Sequence, residues 1–178
     1  MRIISGKYKG KRLKAPKRLP VRPTTDMAKE ALFNILNNNY YFEDLAVLDL
    51  FSGTGNISFE FASRGVTTIK AIDQNIHCVQ FIAKTARELN FTIEVVKSDV
   101  FKFLERTTNG YDLIFADPPY NLDLDSFSSI AKLVFSNDLL IEEGLLIIEH
   151  SEQTDLSELP YFTEKRKYGS SIFSFFKN

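Results

Sequence analysis

The sequence predicts a doubly wound α/β fold, a mostly parallel sheet covered by helices on both faces. Three observations carry that prediction. From residue 46 onward, near-continuous apolar runs alternate with segments of helical periodicity, the pattern of parallel strands joined by crossover helices. The first apolar run leads into a glycine-bearing loop, "FSGTGN", where such folds bind ligands beyond the strand ends. The last two runs lie too close together for a crossover helix, so they must form a hairpin, which makes one strand antiparallel.

The chain opens on a basic segment. Residues 1–22 hold nine Lys/Arg (Arg2, Lys7, Lys9, Lys11, Arg12, Lys14, Lys17, Arg18, Arg22) and no acid, although the whole chain carries a net charge of −1. The remainder is therefore strongly acidic, with 13 basic against 23 acidic side chains. Charge segregated in this way points to a polyanionic partner for the N-terminus; a solvated basic tail is the plainer alternative. Ile3, Ile4, Tyr8 and Leu13 are interleaved with the charges, and Gly6 and Gly10 supply turns. A small basic β-hairpin is expected rather than disorder.

Next comes "RPTTDMAKEALFNIL", with Ala28, Ala31, Leu32, Ile35 and Leu36 on one helix face. Thr25 or Asp26 can cap its start, and Asn37–Asn39 end it. "AVLDLF" then reads as a buried strand, followed by the glycine loop and a helix to about Arg64. "TIKAID" is the second strand, and Val79, Ile82, Ala83, Ala86 and Leu89 mark a helix face. "FTIEVV" is the third, with a short helix after Asp99. "YDLIFAD" is the fourth, followed by a helix over 125–136, and "GLLIIEH" is the fifth. "FTEKRKYG" and "SIFSFFKN" form the closing hairpin across a Gly-Ser turn. One domain accounts for the length: an α/β domain over 23–178 with a basic extension over 1–22.

Composition narrows the class. With 44% apolar and 25% charged residues, the chain reads as an ordinary soluble globular protein. No apolar run approaches the roughly 20 residues that span a bilayer. The single cysteine, Cys78, excludes an internal disulfide and a thiolate zinc cluster. An intracellular, cytoplasmic monomer is expected.

Gly53 and Gly55 permit a tight turn and close ligand approach, with a helix start behind them. Asp73 closes the second strand, where its carboxylate can accept from ribose hydroxyls. Those features alone would also suit NAD. Two details argue otherwise: Ser58 stands where the third glycine of a dinucleotide loop belongs, and Asp49 lies within the strand just ahead of the loop. A carboxylate there suits a ligand with an ammonium group, such as the methionine part of S-adenosylmethionine; alternatively Asp49 merely holds the loop. Asp99 can accept from an adenine amino group, cap the short helix, or do both. Phe51, Ser52, Thr54 and Asn56 in the loop, Gln74 after Asp73 and Val100 after Asp99 complete the candidate cofactor contacts.

The stretch "IFADPPYNLD" is the second signal. Asp117, Pro118, Pro119 and Tyr120 close the fourth strand beside the same cleft. An amino group on a nucleobase is a poor nucleophile because its lone pair is delocalised into the ring. Two acceptors aimed at its hydrogens favour rehybridisation and stabilise the charge that develops on methylation. Asp117 offers one acceptor and the Pro118 carbonyl another, held rigidly by the prolines. Tyr120 offers a face for stacking the base. No metal is needed, since a sulfonium is already an activated electrophile. The plain alternative is a strand ending in a proline turn with a solvated Asp.

"DLFSGTGNISFE" together with "DPPY" resembles the class I S-adenosylmethionine-dependent amino-methyltransferases. "MRIISGKYKGKRL" and "VRPTTDMAKEALFNIL" resemble the start of one group among them, the RsmD-type enzymes that methylate guanine N2 in bacterial small-subunit (16S) rRNA. The resemblance spans essentially the whole chain. It implies a Rossmann-like seven-stranded sheet with one antiparallel strand, and S-adenosylmethionine held by the Gly53–Gly55 loop, Asp73 and Asp99. It also implies that Asp117 through Tyr120 hold the guanine, with Arg22, Thr24, Thr25 and Asp26 near the cofactor and the RNA entrance. Lys29 stands where this group commonly has Arg. The target base must leave its stack to reach such a cleft, so Arg2, Lys7, Lys9, Lys11, Arg12, Arg22, Thr24 and Thr25 are the candidate RNA contacts. The RNA partner would be ribosomal RNA, free or in a small-subunit particle.

Rival readings are an adenine-N6 or cytosine-N4 methyltransferase, a non-catalytic RNA-binding assembly factor and, last, an NAD-dependent oxidoreductase. His77 and Cys78 point in different directions on one helix and are assigned no role. His150 at a strand end reads as structural, and Glu149 beside it lines the cleft or caps the sheet.

Overall fold

A computed structural model describes residues 1–16, 24–119 and 121–178. Lys17, Arg18, Arg22 and Tyr120 lie outside the described residues. The strands are β1 Ala46–Leu50, β2 Thr68–Asp73, β3 Ile93–Lys97, β4 Tyr111–Ala116, β5 Leu140–His150, β6 Phe162–Tyr168 and β7 Ser171–Phe176. The helices are α1 Asp26–Asn37, α2 Asn56–Ser63, α3 Ile76–Glu88, α4 Val100–Leu104 and α5 Leu124–Ser136. The seven strands form one sheet in the order β3-β2-β1-β4-β5-β7-β6. β7 runs antiparallel to both β5 and β6, while β1 through β5 pair in parallel. The expected doubly wound sheet, with its terminal hairpin, is present.

Side chains alternate across a strand, and both faces of this sheet are covered. Leu48, Leu50, Ile114, Leu146 and Ile148 join Phe127, Ile130 and Val134 of α5 in one core layer. Val47, Leu113, Phe115 and Ile147 join Leu32, Phe33 and Leu36 of α1 and Phe61 of α2 in the other. That double burial is why the central strands β1 and β4 read as near-continuous apolar runs.

Side-chain caps fix where most of the helices start. Thr25 accepts from the Ala28 N–H at the head of α1, Asn75 from His77 on α3, Asp99 from Lys102 on α4 and Asp123 from Ser126 on α5. Of the two candidates for α1, Thr25 is the cap. α2 differs: it begins at Gly55, left-handed at φ 74, with no side-chain cap.

Two expectations need adjustment. β5 begins at Leu140 rather than at Gly144, because Ile141, Glu142 and Glu143 are exposed and break the apolar run that marks the rest of the strand. Among the described residues the N-terminal segment pairs back on itself through one antiparallel bridge, Arg2 to Arg12, flanked by bonds from Ile3 N–H to the Lys11 carbonyl and from Leu13 N–H to the Met1 carbonyl, both 3.0 Å, without a regular strand. Its tip is a 3-10 turn over Gly6–Tyr8. It is also held by contact with the body of the protein. Ile3 and Leu13 pack with Phe59, Ala71, Ile82, Ala86 and Leu89 in a third apolar cluster. The Ile4 and Ser5 N–H groups both donate to the Glu60 carboxylate, at 2.8 and 3.0 Å, and the Tyr8 hydroxyl donates to the Leu89 carbonyl at 2.9 Å.

Candidate active site

The sheet order reverses between β1 and β4, and ligands of such folds bind at that point, beyond the carboxyl ends of the strands. Pairing of Leu50 with Ala116 brings the loop after β1 beside the turn after β4. The Asp117 N–H donates back to the Leu50 carbonyl at 3.3 Å. Two motifs far apart in sequence therefore face one cavity of about 530 Å³.

The glycine loop is pinned from β2. Asp73 accepts from Gly53 N–H at 2.8 Å with one oxygen and from Asn75 N–H at 2.7 Å with the other. Ser52 N–H donates to the Ile72 carbonyl at 3.0 Å. The turn demands left-handed backbone at Phe51 (φ 56), Gly53 (φ 52) and Gly55 (φ 74). For phenylalanine that conformation is strained, and such strain clusters at ligand sites. A Cβ on Gly55 would sit 2.9 Å from Ile82 Cγ1, so the loop packs too tightly for a larger residue there.

Asp49 is buried behind the loop, and one of its oxygens accepts from both the N–H and the hydroxyl of Ser58. The serine in the place of a third glycine is thus a ligand of Asp49. Burial pushes the Asp49 carboxyl up to about 7, against those two hydrogen bonds, and the charge of Asp73 adds to the rise. Asp117 is held well above the usual carboxylate range, by burial first, then by Glu149, then by Asp49. Asp73 is raised by burial despite its two backbone donors. Acids with raised affinity for protons at one cleft favour a ligand that brings positive charge.

The raised group at Asp49 sets a pH profile. The folded protein holds its proton more tightly than the unfolded chain, whose value is 3.8. Stability from this group is full below 3.8 and is lost as pH rises to about 7. Asp49→Asn should therefore raise the melting temperature of the unliganded protein by an amount that widens with pH to about 7 and then levels off. Melting scans of both proteins across a buffer series test this; a constant difference across that window refutes it.

Of the sequence candidates, Asp49, Phe51, Ser52, Gly53, Thr54, Asn56, Asp73, Gln74, Asp99 and Val100 line the cavity, as do Asp117, Pro118 and Pro119. Gly55 shapes the turn without lining it. Tyr120 cannot be placed, since it lies outside the described residues. Thr24 lines the cavity and is buried, its hydroxyl donating to Glu149 at 2.8 Å. Thr25 is the cap of α1. Lys7, Lys9, Lys11 and Arg12 are exposed on the N-terminal segment, with the Lys7 and Lys11 ammonium groups over the Tyr8 ring. Arg2 is half-exposed and paired with Asp26 at 3.0 Å. Arg22 lies outside the described residues.

Sequence reasoning missed several wall residues: Ile57, Asn75, Cys78, Phe101, Phe115 and Leu122. The aromatic Phe101, two residues past Asp99, was the legible signal, and its ring meets Phe51 edge-on with centroids 6.3 Å apart. Glu149, read from the sequence as lining the cleft or capping the sheet, is buried at the carboxyl end of β5, accepting from Thr24 and from the Ser171 hydroxyl at 2.7 Å. His150 is structural, its ring nitrogens 2.9 Å from the Ser151 carbonyl and 2.8 Å from the Ser174 hydroxyl.

Known proteins resemble this chain over nearly its whole length. Residues 1–177 match the family described as Conserved hypothetical protein 95. The chain is 30% identical to Ribosomal RNA small subunit methyltransferase D of Escherichia coli (strain K12), over 90% of this chain and 79% of that one. A solved structure of a hypothetical protein from Thermus thermophilus superposes with a TM-score of 0.86 at 26% identity, covering 100% of this chain and 99% of the other. The 16S rRNA N2 G1207 methyltransferase RsmC of T. thermophilus, solved with AdoMet and guanosine, shares the fold. Its TM-score is 0.69 at 20% identity, over 89% of this chain and 45% of that one.

Proposed function

This chain belongs to the Conserved hypothetical protein 95 family, the RsmD family, and we propose that it transfers the methyl group of S-adenosylmethionine to the exocyclic N2 amino group of a guanine in small-subunit (16S) ribosomal RNA. The observation that carries this reading is Asp117 followed by Pro118 and Pro119, set beside a strained glycine loop at the point where the sheet order reverses. The family's methyltransferases of the small-subunit rRNA supply the substrate class.

The donor set suits the cofactor. Asp49 and Asp117 are anionic partners for its ammonium and sulfonium charges. Asp73 keeps a second lone pair on each oxygen for ribose hydroxyls while the backbone occupies the first. Asp99, with one oxygen capping α4, has the other for an adenine amino group. Phe51, Ser52, Gly53, Thr54, Gly55, Asn56, Gln74 and Val100 surround it. When bound, S-adenosylmethionine supplies an electrophilic methyl on a good leaving group.

The chain's own residues do the rest. Asp117 accepts one N2–H of the flipped-out guanine and the Pro118 carbonyl accepts the other, which localises the lone pair on nitrogen. Bound there, S-adenosylmethionine would supply the methyl carbon and keep the electron pair of its carbon–sulfur bond, while Asp117 and the Pro118 carbonyl hold the nitrogen that receives it. Asp117 then takes the proton that the methylated, positively charged amine must lose. Burial and the neighbouring Glu149 and Asp49 charges make it a stronger base than an exposed carboxylate, which suits that transfer. Tyr120, outside the described residues, is assigned the stacking face for the base.

The division of labour in this reading places the RNA grip in residues 1–22 and the transfer chemistry in 23–178. Exposed Arg2, Lys7, Lys9, Lys11 and Arg12, with Arg22, contact phosphates and contribute little sequence readout, so the fold of the RNA or of a ribosomal particle selects the guanine. Among the described residues no helix is long and apolar enough to cross a membrane, and the enzyme is expected to act as a cytoplasmic monomer.

The test is incubation with methyl-labelled S-adenosylmethionine and unmodified small ribosomal subunits, followed by digestion and identification of the labelled nucleoside. N2-methylguanosine is the expected product. Labelled adenosine or cytidine would keep the chemistry and overturn the base, and no label on either naked RNA or particles would overturn the reading.

A further inference from the structure

Lys29 is 1% exposed on the inner side of α1, and its partner Glu60 on α2 is 0% exposed. A charged pair this deep is conspicuous, because packed apolar residues of similar size are often as stable. The lysine ammonium has three N–H donors and meets three acceptors: the Arg2 carbonyl at 2.6 Å, Asn56 Oδ1 at 2.8 Å and Glu60 Oε2 at 3.4 Å. Glu60 is independently satisfied by the Ile4 and Ser5 N–H groups and by Arg64. Neutralising Glu60 is therefore not all that Lys29 does.

Its contact with Asn56 is the informative one. Only the oxygen of a side-chain amide can face an ammonium, so Lys29 fixes which way round the Asn56 amide sits. The amide nitrogen then donates to the Thr24 carbonyl at 3.1 Å, and the Thr24 hydroxyl donates to Glu149. Asn56 and Thr24 both line the cavity; Lys29 does not. The line from Lys29 through Asn56 to Thr24 thus joins the uncapped start of α2 to the segment leading into α1, across the cofactor side of the cleft.

We propose that Lys29 is a positioning residue for the methyl-transfer site: from behind the wall it orients Asn56, and through Asn56 the backbone of Thr24, against the bound cofactor. The inference rests on the cofactor reading given above. An apolar residue of the same bulk would keep α1 packed yet leave the amide free to rotate.

The test is a double-mutant cycle read as S-adenosylmethionine affinity by calorimetry, without RNA. Lys29→Met and Asn56→Ala should each weaken binding about tenfold, the loss expected when one hydrogen bond to a charged donor goes. Together they should also cost about tenfold, because each removes the same contact. The inference is overturned if Lys29→Met leaves the affinity within about twofold, or if the double variant falls about a hundredfold, as two independent sites would. General destabilisation by Lys29→Met lowers the melting temperature without producing that non-additivity. Should Lys29→Met not fold, Lys29→Gln, uncharged and one atom shorter, withdraws the donor from Asn56 and enters the same cycle. Failure of the native protein to bind S-adenosylmethionine overturns the cofactor reading and this inference with it. Binding by the native protein with a multiplicative cycle overturns this one alone.

Discussion

Asp117→Ala should lower the rate of methyl transfer by about a thousandfold, the scale seen when an acceptor or donor aimed at developing charge is removed. S-adenosylmethionine binding should weaken far less, since Asp49, Asp73 and Asp99 remain. The companion variant Asp117→Asn keeps the side chain's shape and one acceptor oxygen but cannot take the departing proton. It should also be strongly impaired. It removes a carboxyl whose charge burial, Glu149 and Asp49 all disfavour, so the folded state should be no less stable than the native one near neutral pH. Lost turnover in a protein that melts as high as the parent and still binds cofactor would assign the defect to chemistry. Retention of more than a tenth of the native single-turnover rate in both variants would remove Asp117 from the mechanism.

Gly6→Ala should be the most damaging single change outside the cleft. Gly6 has φ +77, and a Cβ there would lie 1.8 Å from the Ser63 carbonyl oxygen, 2.3 Å from its carbon and 2.8 Å from the Arg64 nitrogen. All three are backbone atoms at the end of α2, so no side-chain rotation can relieve the overlap. The segment must lift away, giving up the Ile4 and Ser5 bonds to Glu60 and the exchange between Ser63 and the segment: the Ser63 hydroxyl donates to the Ser5 carbonyl and accepts from Tyr8 N–H. Stripping partners from a buried carboxylate and opening an apolar cluster together cost on the order of 3–5 kcal/mol. For a domain of this size that is a fall in melting temperature of about 6–20 °C. RNA methylation should fall with it, because Lys7, Lys9 and Lys11 lose their fixed position. Gly10→Ala is the control. Gly10 also has positive φ, at +83, yet nothing lies within 4 Å of its added Cβ, so only about 1 kcal/mol of backbone strain is expected. Equal effects at the two glycines would show that conformation alone matters and that the docking surface does not.

The sequence was legible where local pattern and tertiary role coincide. β1 and β4 were found within a residue because burial on both faces leaves a continuous apolar run; β2 and β3, less buried, were found within two residues from their alternation with helices. α1 was found from its repeat, yet the buried stripe is rotated from the expected one: it includes Phe33 and the charged Lys29, while Ala31 and Ile35 are only half-buried. A lysine reads as solvent-facing unless its partner is known, and that partner, Glu60, sits on another helix. The first residues of β5 were missed because their exposed acids look like a loop.

By itself, then, the sequence determined the α/β architecture, the glycine loop after β1 and the carboxylate–proline turn after β4. It also pointed to a cationic nucleoside cofactor and a methylated amine. Each of these rests on neighbours within a few positions, where periodicity, turn chemistry and residue type act directly on the backbone. Tertiary structure alone decided that Ser58 serves Asp49, that Glu149 bears on Asp117, and that Thr24 joins the cleft. It also decided that the segment expected as a small basic hairpin is held down by Glu60. The Thr24–Glu149 and Ile4–Glu60 bonds link residues 125 and 56 positions apart. No local pattern encodes such pairs, because they form only once sheet order and helix packing have brought the surfaces together.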